Sequence, residues 1–138
     1  MVLVISRIDP SKKIEKAITL AHLLMNKGIG NGMIIVGNLD EYNHGHYISL
    51  KEMVDDLNLK DYVRFEIDAS IDKLVLNMKK SKVYFHPRSG EHFGISIVEA
   101  MSAGLIPVVP DKGGQTEFVP AKYQYNTLEQ ASQIISRH

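Results

Sequence analysis

Two carboxylates and two cations are the residues of this chain whose types and spacing could do chemistry. Glu91 and Glu99 stand either side of Phe93-Gly94-Ile95, with seven residues between them. A carboxylate only accepts hydrogen bonds, so a ligand that satisfies it must bring donors, as the hydroxyls of a sugar or a ribose do. Arg7 and Lys12 each fall where an apolar run gives way to a helical pattern, and on their own they read as solvated residues near a turn. Hydroxyls beside an anion-binding helix opening, as at Phe93-Gly94-Ile95, describe a phosphorylated sugar. His44-Gly45-His46 is the one spacing that suggests a metal. Two histidines with no neighbouring carboxylate partner read as an exposed loop, and no metal site is expected.

The elements that must position these residues follow from periodicity. Val83 to His86 is a short apolar and aromatic run stopped by Pro87, which suits a buried strand. A helix opens at Phe93-Gly94-Ile95 with Ile95, Val98 and Met101 on one face, and Gly104 supplies a left-handed end. Ile106 to Val109 is the next strand. Such a strand–loop–helix points the helix's unpaired N–H groups at the carboxyl edge of a parallel sheet, where α/β proteins bind anions.

The same alternation runs through the rest of the chain. Val2 to Ile5 reads as a strand buried on both faces, and Ile14, Ala17, Ile18, Ala21, Leu24 and Met25 as a helix ending at Gly28. Met33 to Val36 is a second strand closed by Gly37-Asn38, followed by a polar loop to His46. From Tyr47, Leu50, Met53, Val54 and Leu57 mark a helix. Val63, Phe65 and Ile67 alternate with Arg64 and Glu66 as a strand that Asp68-Ala69-Ser70 ends. A helix then carries Ile71, Leu74, Val75 and Met78 as its apolar face. Gly113-Gly114 makes a turn, Tyr123 to Tyr125 a minor edge strand, and Thr127 with Gln130 a capping box for a last helix. Its apolar face is Leu128, Ala131, Ile134 and Ile135. The expected fold is α/β: a Rossmann-like three-layer domain with a mostly parallel sheet of about five or six strands.

At 138 residues the chain suits one domain. Sixteen basic and sixteen acidic residues, without a run of either sign, leave no footprint for nucleic acid, so phosphate binding must be local. There is no cysteine, hence no disulfide or thiol ligand. No apolar stretch approaches the roughly 20 residues of a membrane span. Val2 to Ile5 is too short for the apolar core of a signal peptide, and a cytoplasmic protein is expected.

The ordered string Glu91-His92-Phe93-Gly94-Ile95, Glu99-Ala100-Met101, Gly104, Pro107-Val108-Val109, Gly113-Gly114 and Glu117 resembles the donor-site signature of the retaining glycosyltransferases of family 4, which have the GT-B fold. The resemblance covers nearly the whole chain and implies that residues 1–138 are the C-terminal, donor-binding domain. The N-terminal acceptor domain would be supplied in cis or in trans. It implies that Arg7, Lys12 and Glu91 act in catalysis, the first two on the donor diphosphate and the third on the transferred sugar. Gly37, Asp68, Ala69, His92, Phe93, Gly94, Ile95 and Glu99 would bind substrate, Glu99 through the ribose. Two departures from the family's G-R-L-x-x-x-K-G segment are Ser6 and Lys13 in place of its glycines, so that Lys12 and Lys13 both compete for the phosphate role. Ile67 stands where the family's F-x-G turn has glycine.

The preceding His86-Pro87 and the continuation through Pro107-Val108-Val109 look most like the dolichol-linked oligosaccharide α-1,2-mannosyltransferases and their prokaryotic relatives. That implies GDP-mannose as donor, with a UDP-sugar second, an acceptor that is a sugar or lipid-linked, and no cofactor. It also implies a cytoplasmic enzyme peripheral at the membrane through the other domain, and little turnover by this domain alone. The alternative is a non-catalytic nucleotide-sugar binding module or one subunit of a two-polypeptide transferase.

Overall fold

The computed structural model describes residues 1–88 and 95–138. Strands and helices alternate: β1 (Val2–Ile5), α1 (Ile14–Asn26), β2 (Met33–Gly37), α2 (His44–Asp56), β3 (Val63–Ile67), α3 (Ile71–Lys80), β4 (Val83–Phe85), α4 (Ile95–Ser102), β5 (Ile106–Pro110), β6 (Gln124–Tyr125) and α5 (Leu128–Ser136). The six strands form one sheet in the order β3-β2-β1-β4-β5-β6. Every ladder in it is parallel.

β1, β2 and β4 carry no charged side chain because both faces of the sheet are covered there, whereas the edge strand β3 alternates with Arg64 and Glu66. Val2, Val4, Met33 and Ile35 point into the core layer beneath α1, α2 and α5. Their neighbours Leu3, Ile34 and Val36 point the other way, into a second core with Met78 of α3 and with Ile97 and Ala100 of α4. α5 is fastened to α1 by Lys27, which donates to Glu129 and to the buried Ser132 Oγ. Its capping box joins Thr127 and Gln130 through reciprocal hydrogen bonds, as the sequence implies. Gly104 has φ +90, the left-handed helix end expected of it.

Three expectations change. α2 begins at His44, not Tyr47, because Asp40 caps a short 3-10 turn over Glu41–Asn43 that feeds straight into the helix. On α3 the expected apolar face is rotated: Ile71 is 80% exposed and Val75 43%, while Asn77 and Met78 are buried. Asn77 can be inside because its Nδ2 donates to Glu66 Oε2 of β3 at 2.8 Å. Among the described side chains of α4, Val98 is 49% exposed while Ile97 and Ala100 are buried. Both helices are short and carry apolar residues around more than one face, so periodicity alone leaves their rotation undetermined. Among the described residues no helix is long and apolar enough to cross a membrane.

Candidate functional site

The sheet order changes direction between β1 and β4: from β1 the chain builds outward to β2 and β3, then returns to β4 on the other side. At such a switch point the loops leaving two adjacent strands diverge and open a crevice at the carboxyl edge. A cleft of about 410 Å³ lies there. It is lined by residues following β1 (Ser6, Arg7, Lys12), β2 (Gly37, Asn38), β3 (Ala69, Leu74) and β4 (His86, Pro87, Arg88), with Ile97 of α4.

The loop after β1 is held at both ends. Ser6 N donates to Val36 O at 2.9 Å and Ile8 N to Asn38 O at 3.0 Å, so the β1–β2 ladder continues past the strands. Asp9 then caps a 3-10 turn over Pro10–Lys12, accepting from Ser11 N at 2.8 Å and from the Ser11 hydroxyl. That hydroxyl bond is the main reason the Asp9 carboxyl sits below its ordinary range; burial opposes it, and Lys12 and Arg7 add to the lowering. Lys13 follows in the left-handed region at φ 57 and starts α1. This is the position where the family pattern has glycine, and a left-handed lysine costs about 1 kcal/mol or more by comparison. The turn also separates the two lysines: Lys12 lines the cleft, and Lys13 is exposed and does not.

Arg7 lines the cleft and reaches sideways to Asp40, its Nη2 3.7 Å from Oδ2 with 66% of the side chain exposed. An ion pair so open to water contributes about 0–1 kcal/mol, and an anion of higher charge displaces it readily.

Gly37 is required by close approach. A Cβ there would lie 1.8 Å from Ser6 O. Asp68 stands in the turn after β3. It takes the left-handed conformation at φ 53, so the glycine-like position of this turn falls one residue after Ile67. Its N–H donates to Gly37 O at 3.0 Å and its Oδ1 accepts from Leu39 N at 3.1 Å. Asp68 thus braces the loop after β2 against the loop after β3. Its neighbour Ala69 lines the cleft.

On the β4 side the strand end is locked by three hydrogen bonds. His86 N donates to Val108 O at 3.0 Å, the Tyr125 hydroxyl donates to His86 O at 2.7 Å, and the Tyr84 hydroxyl donates to Ile5 O at 3.3 Å. Burial pushes the Tyr125 phenol above its ordinary range, so it remains a donor. The Tyr84 oxygen also lies 3.3 Å from His86 Nδ1.

Glu91, His92, Phe93 and Gly94 lie outside the described residues. α4 begins at Ile95, and the first-turn N–H groups of a helix have no partner within it. Glu99 is exposed on α4 and is not among the cleft-lining residues. His46 Nε2 is 3.9 Å from Glu15 Oε1 of α1. Among the described residues no group of three His, Cys, Asp or Glu side chains could hold a metal ion.

Ser6, Asn38, Leu74, His86, Pro87, Arg88 and Ile97 line the cleft without having been singled out as site residues from the sequence. Arg88 had a signal that could have found it. It follows an apolar strand at a similar remove as Arg7 does, and both strands belong to one parallel sheet. The charged residues among the described lining are Arg7, Lys12 and Arg88, all positive. The arrangement suits a small ligand with a concentrated negative charge.

A sequence model described as "Glycosyl transferases group 1" matches residues 1–132. The GDP-Man:Man(3)GlcNAc(2)-PP-Dol alpha-1,2-mannosyltransferase of Dictyostelium discoideum is 33% identical over 125 residues, which cover 85% of this chain and 25% of that protein. Its namesake from Neurospora crassa is 37% identical over 83 residues, 59% of this chain and 15% of that protein. The chain therefore spans about a quarter or less of the length of these relatives. Among solved structures, Anabaena HepE in complex with UDP superimposes with a TM-score of 0.80 at 24% identity, covering 99% of this chain and 38% of that one. The C-terminal domain of the group 1 family protein LpcC from Francisella tularensis gives 0.80 at 16% identity, covering 96% of this chain and 71% of that one. These likenesses establish the fold as that of a GT-B glycosyltransferase domain.

Proposed function

The chain belongs to the glycosyl transferases of group 1, and from that premise we propose that its cleft is the donor site of a retaining hexosyltransferase. The domain holds a nucleotide diphosphate sugar while its sugar passes to an acceptor hydroxyl. The carrying observation is that Arg7 and Lys12, distant from α4 in sequence, line one cleft with Ile97 of that helix at the sheet's switch point. As the bond between the anomeric carbon and the diphosphate oxygen breaks, negative charge grows on the departing diphosphate. Fixed cations there stabilise the transition state more than the ground state.

Glu91 takes hydroxyls of the transferred sugar, Glu99 those of the ribose, and Gly94 and Ile95 bind the phosphates. Gly37 and Ala69 shape the wall beneath the nucleoside. GDP-mannose is the favoured donor, supported by the names of the relatives from Dictyostelium and Neurospora. A UDP-sugar is second, supported by the HepE complex. The acceptor is lipid-linked, and a further domain in cis or trans supplies its binding surface and attaches the enzyme to the cytoplasmic face of a membrane.

A thermal-shift panel of GDP-mannose, UDP-glucose, UDP-N-acetylglucosamine, GDP and UDP on this chain tests the reading. GDP-mannose and GDP should raise the melting temperature, and Glu99→Ala should weaken both while leaving inorganic pyrophosphate unaffected. A chain that no nucleotide stabilises would refute the donor site. Equal stabilisation of wild type and Glu99→Ala would refute the ribose assignment.

A further inference from the structure

Among the described residues Arg7 has one ion-pair partner, Asp40, whose Oδ2 lies 3.7 Å from its Nη2. The loop after β2 fixes that carboxylate in place. Ile8 N donates to Asn38 O at 3.0 Å, Asp68 N to Gly37 O at 3.0 Å, and Leu39 N to Asp68 Oδ1 at 3.1 Å. The residues leading up to Asp40 are therefore tied to the loops after β1 and β3. Asp40 Oδ1 in turn accepts from Asn43 N at 3.0 Å and from Asn43 Nδ2 at 3.1 Å, as the cap of the 3-10 turn that follows. One carboxylate oxygen is engaged by the turn, and the other faces Arg7.

Arg7 lines the cleft and Asp40 does not. A ligand in the cleft thus meets the carboxylate through the arginine. Asp9, the other carboxylate that Arg7 influences, already accepts from Ser11 N and the Ser11 hydroxyl, and Arg7 is the smallest of the influences on it. The pair with Asp40 is open to water on both sides, so solvent and salt weaken it without removing it. A carboxylate brings one negative charge to a single loose contact. A nucleoside diphosphate brings about three near neutral pH, and its phosphate oxygens can take the guanidinium fork in two parallel bonds. The diphosphate wins that contest, but it must break the pair to do so. Its affinity is lowered by whatever the pair contributes, and Asp40 recaptures Arg7 as the diphosphate leaves.

We propose that Asp40 is a positioning residue that competes with the diphosphate for Arg7, keeping the guanidinium at the cleft and easing release of the nucleoside diphosphate. This rests on the donor-site reading above, in which Arg7 contacts the diphosphate.

Calorimetric titration of this chain with GDP and with UDP tests it. Asp40→Asn removes the charge and keeps the cap, since asparagine caps a helical turn about as well as aspartate. It should bind the nucleoside diphosphate about two- to fivefold more tightly than wild type, the range an exposed pair of this kind contributes. A merely structural role predicts the opposite sign, because a disturbed loop weakens binding. In an Arg7→Gln chain that still binds nucleotide, the same change should alter affinity by less than about 1.5-fold. Asp40→Ser, which also removes the charge and can cap, decides the question if Asp40→Asn does not fold. An affinity in the folded variant equal to or weaker than wild type would overturn the role of Asp40 and leave the donor site standing, as would tightening of the same size in the Arg7→Gln chain. A wild-type chain that binds neither nucleotide would overturn the donor site itself, and the role of Asp40 with it.

Discussion

Replacing Gly37 by alanine probes the contact on which the cleft's geometry depends. The added Cβ would lie 1.8 Å from Ser6 O and 3.0 Å from Ser6 C, where real Cβ contacts do not fall below 3.0 Å. Both near neighbours are backbone, so no side chain can swing aside and β1 must part from β2 by about 1 Å. Overpacking of this kind costs about 1–3 kcal/mol. Parting the strands also strains the bonds Ser6 N to Val36 O, Ile8 N to Asn38 O and Asp68 N to Gly37 O, each worth about 1 kcal/mol. A loss of about 3 kcal/mol overall lowers the melting temperature of a domain this size by about 10 °C.

Thermal melts followed by circular dichroism give the measurement, with Gly45→Ala as the internal control. Gly45 lies in α2 with nothing within 4 Å of a built Cβ, so alanine there should hold or raise stability, by at most about 1 kcal/mol. Nucleotide affinity supplies a second readout, since the segments pushed apart carry Arg7 and Asn38 into the cleft. A Gly37→Ala chain melting within about 2 °C of wild type would refute the close-approach argument.

Three further outcomes are expected. In the complete two-domain enzyme, Arg7→Ala should lower kcat by on the order of a hundredfold, read by steady-state transfer assay; a loss under about threefold would remove Arg7 from the diphosphate. Tyr125→Phe deletes the 2.7 Å donation to the buried His86 O while keeping the ring stack on Phe85. It should cost about 1–2 kcal/mol by chemical denaturation, and an unchanged midpoint would show the carbonyl finds another donor. Because the Asp9 carboxyl is lowered in the folded chain, its ionised form stabilises the fold above its unfolded value of about 3.9, and that contribution is lost as the pH falls through the folded value. The stability gap between wild type and Asp9→Asn should accordingly widen from pH 3 to pH 5 in denaturation curves. A gap that stays flat across that range would show that the cap to Ser11 does not matter.

The succession of elements was legible in the sequence because each follows from local pattern. Val2–Ile5 and Met33–Val36 are unbroken apolar runs, as strands covered on both faces must be. Gly104 and the Thr127–Gln130 box mark helix ends through backbone requirements that only a few residue types meet. The motif from Glu91 to Glu117 identified the family for a similar reason, since phosphate and hydroxyl recognition restricts residue types within a short span.

Tertiary structure alone decided which faces turn inward and which loops meet. The rotation of α3 and α4 depended on a neighbour, Glu66, that satisfies Asn77, and on which of several apolar residues fits the sheet. Lys12 and its neighbour Lys13 were turned to different places because Lys13 itself takes the left-handed conformation, and Asp68 became a brace because its turn lies against Leu39. Arg88 and Arg7 came to line one cleft because β1 and β4, about eighty residues apart in the chain, pair in the sheet. Local pattern specifies the conformation of a segment. It carries no record of the register in which distant segments pair, and the cleft is built from that register.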